Sequence, residues 1–200
     1  MNLDPIGEKL FLDLERDMPS ALVFHSADAA LYRAFLALQL GEEMGLSTGD
    51  CLAVSWATLG IPWGFLADYD NPWPAAAREL ETRLKLLNAD PEPTEHAEQL
   101  LWQADMLQED PTAAQKLFHD LRFAWYGQED FFIRMACWRA ERKAYKQPLT
   151  LLEAYQIMEK RMQAFKFKTE IASQYFNELG KANKEQIQRL LQVQTKDADA

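Results

Sequence analysis

The stretch Phe24-His25-Ser26-Ala27-Asp28-Ala29-Ala30-Leu31-Tyr32, continued through Gly45-Leu46-Ser47 to Trp56-Ala57-Thr58-Leu59-Gly60-Ile61-Pro62, decides the fold. Ser26, Ala27, Leu31, Ala34, Phe35 and Leu38 recur at helical spacing, and His25 stands just ahead of the first turn. Gly41 and Gly45 mark where that helix ends. Ser47-Thr48-Gly49-Asp50 has the pattern of a capping box and opens a second apolar helix through Leu52, Ala53 and Trp56. Two apolar helices joined by a Gly-Leu-Ser break, with almost no strand alternation anywhere in the chain, predict an all-α protein.

Working outward, Pro5 followed by Leu10, Phe11 and Leu14 on one face predicts a helix over 5–18, ended by Pro19. The segment from Gly60 to Pro74 holds Gly60, Pro62, Gly64, Pro72 and Pro74 and reads as the one long non-helical connection. Its aromatics, Trp63, Phe65, Tyr69 and Trp73, either pack on the body or line a cleft, which makes Trp63 and Trp73 candidate binding residues. Helices are expected at 74–88, 94–108 and 112–125, the first pair broken by Pro91 and Pro93 and the third started by Asp110-Pro111. Another is expected over 128–146, stopped before Pro148. Thr150-Leu151-Leu152-Glu153 is a second capping box, for a helix to about 165. Thr169 starts the next, Gly180 closes it, and 181–194 form a last amphipathic piece before a flexible tail at 196–200. The expectation is a single compact all-α domain over 1–195: an acidic body (1–132), a basic helical lobe (133–168) and terminal helices (169–194).

Bulk properties narrow the function classes. A 48% hydrophobic share with six Trp, eleven Phe and six Tyr fills a real core and excludes disorder over most of the 200 residues. No uninterrupted apolar run of about 18 residues exists, so no membrane insertion is expected. Met1-Asn2-Leu3-Asp4-Pro5 lacks the basic and apolar regions of a secretory signal, so the expected location is cytoplasmic. Cys51 and Cys137 have no CxxC partner and read as reduced thiols in apolar helices. The net charge of −10 is uneven: residues 1–132 carry 8 basic and 23 acidic side chains, residues 133–168 carry 9 and 3. The acidic body is unsuited to general nucleic-acid binding. The basic segment suits something negative, the simplest being the protein's own acidic front.

Candidate metal ligands are His25, His96 in Thr94-Glu95-His96-Ala97-Glu98, and the tandem His119-Asp120. Imidazole and carboxylate together suit Fe, Mn or Zn, and a bound divalent ion would polarise a phosphoryl oxygen and supply hydroxide near neutral pH. The competing structural expectations are a helix-edge His25, a solvated His96 flanked by Glu95 and Glu98, and a His119 in a local hydrogen bond. No Ser/His/Asp triad, P-loop or dinucleotide fingerprint occurs.

His25, Gly45-Leu46-Ser47 and the apolar run Cys51 to Thr58 resemble the opening of the HD-domain superfamily, all-helical metal-dependent phosphohydrolases. Glu95-His96-Ala97-Glu98 resembles the family's later His-Glu helix start, and Phe167-Lys168-Thr169-Glu170 with Ala182-Asn183 resembles the C-terminal helix pair of some members. The resemblance implies an HD-like first half and a His-Asp metal dyad before an Ile-Gly turn. In this chain Leu59-Gly60 stands at the dyad, followed by Ile61-Pro62, and offers no ligand atoms. It therefore implies a degenerate, non-catalytic member that keeps the cleft and binds a nucleotide or a protein partner.

The basic segment is the second candidate. Arg134, Arg139, Arg142, Lys143 and Lys146 fall mostly on one side of a helix that also carries Phe132, Met135 and Trp138, and the next helix adds Lys160, Arg161, Lys166 and Lys168. Such a face would hold phosphates, an acidic partner or a membrane surface, unless Glu141, Glu153 and Glu159 neutralise it. The resulting expectation is a non-catalytic accessory or regulatory protein that needs no cofactor and binds a protein partner, or a nucleotide, through its cleft and basic lobe. The alternative is a Mn, Fe or Zn phosphohydrolase using His25, His96, His119 and Asp120. The sequence sets no oligomeric state.

Overall fold

A computed structural model describes residues 2–106 and 109–198, the last five of these by backbone alone. The described residues are all-α, as the sequence predicts: α1 (Pro5–Asp17), α2 (Ala27–Glu43), α3 (Thr48–Ala67), α4 (Pro72–Leu86), α5 (Pro91–Trp102), α6 (Ala113–Phe123), a 3-10 turn (Ala124–Gly127), α7 (Phe131–Ala144), α8 (Leu151–Ala164) and α9 (Glu170–Ala198). The chain divides into two compact units, Met1–Arg122 and Phe123–Ala200. Unit 1 carries 8 basic and 21 acidic residues, unit 2 carries 13 and 10, so the structural division falls ten residues before the charge change at 132.

In unit 1, α3 is the hub and packs against α1, α2, α4 and α5. Every residue from Ala53 to Gly64 is buried. By length and composition α3 is apolar enough to cross a bilayer, but 72% of that apolar window is covered by the rest of the fold, as in a core helix.

The long connection expected over Gly60–Pro74 is not there. Helix α3 runs through Gly60, Pro62 and Gly64 to Ala67, which leaves a short link at Asp68–Asn71. Proline at 62 removes one helical hydrogen bond and costs about 3 kcal/mol. Burying Trp56, Leu59, Ile61 and Trp63 returns roughly 1.5–3 kcal/mol for each large side chain, so burial wins over the local rule. Gly64 serves packing: a Cβ there would lie 2.3 Å from the Pro72 carbonyl oxygen, so its absence lets α4 start against α3. In the link, the Asp68 carboxylate accepts from the backbone N–H groups of Asp70 (3.2 Å) and Asn71 (3.1 Å).

Two carboxylates tie α1 to this hub. Asp4 caps α1 by accepting from the N–H groups of Ile6 and Gly7, and it also accepts from Trp56 Nε1–H at 3.0 Å. At the other end, Asp17 accepts from Trp63 Nε1–H (3.3 Å) and Arg83 (2.7 Å), while Arg83 also reaches Asp13 and Glu79.

The prolines at 91 and 93 lie inside the first turn of α5 instead of breaking the chain, because the first N–H groups of a helix have no intrahelical partner to lose. Helix α5 stops at Trp102, short of the expected 108, and residues 107 and 108 lie outside the described set. The cap of α6 is Thr112, exchanging hydrogen bonds with Gln115, and not Asp110-Pro111.

In unit 2, the 3-10 turn and α8 both pack on α9. A Cβ at Gly127 would lie 2.2 Å from the Phe176 carbonyl oxygen, so glycine is what permits this approach. Asn183 clamps the same spot, its amide donating to the carbonyls of Tyr126 (2.9 Å) and Gln128 (3.0 Å). Phe123, Tyr126, Phe165, Phe167 and Phe176 form a chain of ring contacts beside it. The break expected at Gly180 is absent, and α9 is continuous to Ala198. An interior glycine costs only about 1 kcal/mol, and this one faces the backbone of Tyr126 and Gly127 at 3.8 Å. The tail expected at 196–200 is helical to Ala198, and 199–200 lie outside the described residues.

Candidate functional site

The four candidate metal ligands engage different partners. His25, half-buried just before the Ser26 cap of α2, stacks on Phe65 with ring centroids 3.4 Å apart, and Phe24 and Tyr69 stand edge-on to it. His96, partly exposed, has its Nδ1 3.0 Å from Asp50, which joins the second turn of α5 to the first turn of α3. His119 Nδ1 lies 3.3 Å from the fully buried Asp120, the local hydrogen bond the sequence suggests. Among the described residues no group of three His, Cys, Asp or Glu side chains is placed to hold a metal ion, so His25, His96, His119 and Asp120 do not form a ligand set. Chain spacing gave no reason for them to converge, and each is satisfied by a near neighbour.

The position where the resemblance puts a dyad is solid core. Leu59 is fully buried, and a Cβ on Gly60 would meet Leu101 and Leu80 at 3.1–3.3 Å. Nor do the two candidate tryptophans line a cleft. Trp63 is 2% exposed, donates to Asp17 and carries the Arg83 guanidinium 4.1 Å above its ring. Trp73 supports Arg122 at 4.1 Å, and Arg122 donates to the Ala104 carbonyl and to Asp105. The cavity beside His119 and Arg122, lined also by Leu100, Gln103 and Phe118, measures about 20 Å³, room for a single water.

Unit 2 holds the feature with chemistry to spare. On α7, Arg134 pairs with Asp130 at 3.1 Å, and Arg139 donates to the Leu149 carbonyl at 3.3 Å. Arg142 of α7 and Arg161 of α8 lie 5.3 and 5.4 Å from the centroid of one indole, that of the buried Trp138. Arg161 also bonds the hydroxyl of Tyr126, whose pKa burial pushes up to about 12 even against that cation. Lys143, Lys146, Lys160 and Lys166 are exposed.

The carboxylates expected to neutralise this face are occupied otherwise. Glu153 closes the capping box, accepting from the Thr150 backbone N–H (2.7 Å) and hydroxyl (2.8 Å), bonds that hold its carboxyl below the usual value. Glu159 accepts from Gln163 and Gln188, each at 3.1 Å, and Glu141 is fully buried. Among the described residues, Arg139, Arg142, Lys143, Lys146, Lys160, Arg161 and Lys166 form no ion pair. Arg142, Trp138 and Arg161 are all named by the sequence; what it does not show is that the two arginines, from different helices, meet at one indole. The Thr150…Glu153 box was legible and already removed Glu153 from the pairing.

Fold and site together define an all-α protein whose second unit carries seven basic side chains that form no ion pair among the described residues. No protein-family model, no curated protein and no solved structure matches the chain.

Proposed function

We propose that this chain is a non-catalytic binding protein on a degenerate HD-like scaffold, and that it engages an acidic protein partner through the α7–α8 face. The observation that carries the reading is the set of seven basic side chains, Arg139 to Lys166, with no carboxylate paired to them among the described residues while Glu153 and Glu159 are bonded elsewhere. The five exposed ones, Lys143, Lys146, Lys160, Arg161 and Lys166, raise the on-rate for an acidic partner and select against basic ones. The solid packing at Leu59 and Gly60 supports the non-catalytic part, because a ligand side chain at 60 would have no room. The protein would act in a reducing compartment such as the cytoplasm.

The test is an anisotropy titration of a labelled glutamate-rich peptide against the protein and its Lys143→Glu/Lys146→Glu/Lys160→Glu variant. All three lysines are exposed and unpaired, so the variant should fold normally. Its affinity should fall by about ten-fold or more, because each reversal replaces attraction by repulsion. Equal affinity of variant and parent would overturn the reading.

A further inference from the structure

We infer that Arg142 and Arg161, braced by Trp138, form a carboxylate seat that anchors an acidic peptide segment of the partner; this rests on the binding reading above. The two arginines come from different helices, yet both guanidiniums lie beside the same indole, at 5.3 and 5.4 Å. Trp138 is 5% exposed and fixed in the core of unit 2, so the platform is rigid. A long side chain held against a rigid ring has already lost much of its rotamer freedom, which lowers the entropy cost of binding. Arg161 is held a second time by the Tyr126 hydroxyl. On Arg142 the Nε atom is buried without a hydrogen-bond partner, so it is the terminal nitrogens that are left to meet a ligand.

A guanidinium fork matches the two oxygens of a carboxylate, and a bidentate pair adds direction as well as charge. Lys143 and Lys160 on the same two helices, and Lys146 just past the end of α7, are exposed point charges and supply longer-range attraction. Unit 1, with 8 basic against 21 acidic residues, repels a long polyanion such as a nucleic acid, which favours a short acidic peptide as the occupant. Arg139, bonded to the Leu149 carbonyl, holds the α7–α8 connection in place.

The experiment compares the full chain with the charge-conserving variant Arg142→Lys/Arg161→Lys and with the charge-reversed Lys143→Glu/Lys146→Glu. Each is titrated with a labelled peptide of alternating Glu and Leu, and with a single-stranded oligonucleotide of equal charge. The lysine variant keeps the net charge but loses both forks, so its peptide affinity should fall by about ten-fold, with the parent favouring peptide over oligonucleotide. If the double lysine variant melts early, Arg161→Lys alone, at an exposed position, should give a smaller loss in the same direction. Peptide binding unchanged by Arg→Lys but lost on Lys→Glu would overturn the seat and leave the binding reading standing. Binding unchanged in every variant would overturn both. Equal affinity of the parent for peptide and oligonucleotide would overturn the carboxylate assignment.

Discussion

At Gly60 the missing side chain reports on packing. Leu80 and Leu101 close over the site at 3.1–3.3 Å, so Gly60→Asp forces a carboxylate into a wall of leucine. The expected loss is about 3 kcal/mol or more in chemical denaturation, since the group arrives buried and unpaired. A variant as stable as the parent would mean that the wall yields. Asp17 makes an electrostatic case. Burial alone would raise its carboxyl, but the hydrogen bond from Arg16, the Arg83 charge and the Trp63 N–H outweigh burial and hold it below its ordinary value. A depressed carboxylate stabilises the fold above the unfolded value, near 3.9, and that contribution fades as pH falls through the folded value. The stability gap between the parent and Asp17→Asn should thus be constant above about pH 5 and shrink below about pH 4. A gap that widens on acidification would contradict this assignment. These contacts were not legible in the sequence: Asp17 meets Arg83 across 66 positions, and a lone Asp in an acidic stripe looks solvated.

Elements were legible where the signal was local. Both capping motifs, at Ser47 and Thr150, start helices where the sequence puts them, because a cap is decided by residues three apart. Pro62 and Gly180 misled for the same reason. Each carries a local penalty, large for proline and modest for glycine, that tertiary packing outweighs, and packing is invisible in a window of a few residues. Thr150→Ala removes the Glu153 N–H acceptor and should cost about 1 kcal/mol of stability. The backbone N–H of residue 150 still donates to Glu153, so acidic-peptide binding should stay within about two-fold of the parent. Gly127→Ala tests the opposite kind of contact. The new methyl would sit 2.2 Å from the Phe176 oxygen, backbone against backbone, and should destabilise by about 2 kcal/mol or more. A neutral effect, read from the denaturation midpoint, would show that α9 can move away from the 3-10 turn at little cost.

For the molecule as a whole, charge organisation is the property that sequence and structure share. Counting side chains already separates an acidic unit from a cationic segment; the structure adds which cations are left over once caps and amides have taken their carboxylates. The metal-ligand expectation shows the limit of that reading. Histidines were counted correctly, but His25 on Phe65, His96 on Asp50 and His119 on Asp120 each answer to a neighbour. Because the proposed partner is held by exposed cations, raising salt from about 50 to 200 mM should weaken acidic-peptide binding several-fold, as screening shortens the reach of each charge. The most direct measurement is a hydrogen-exchange footprint of the full chain with and without a glutamate-rich peptide. Slowed exchange is expected to be confined to α7, α8 and their connection, residues 131–164, and lost in Lys143→Glu/Lys146→Glu. Protection appearing in α1 to α6 instead, or persisting in the reversed variant, would contradict it.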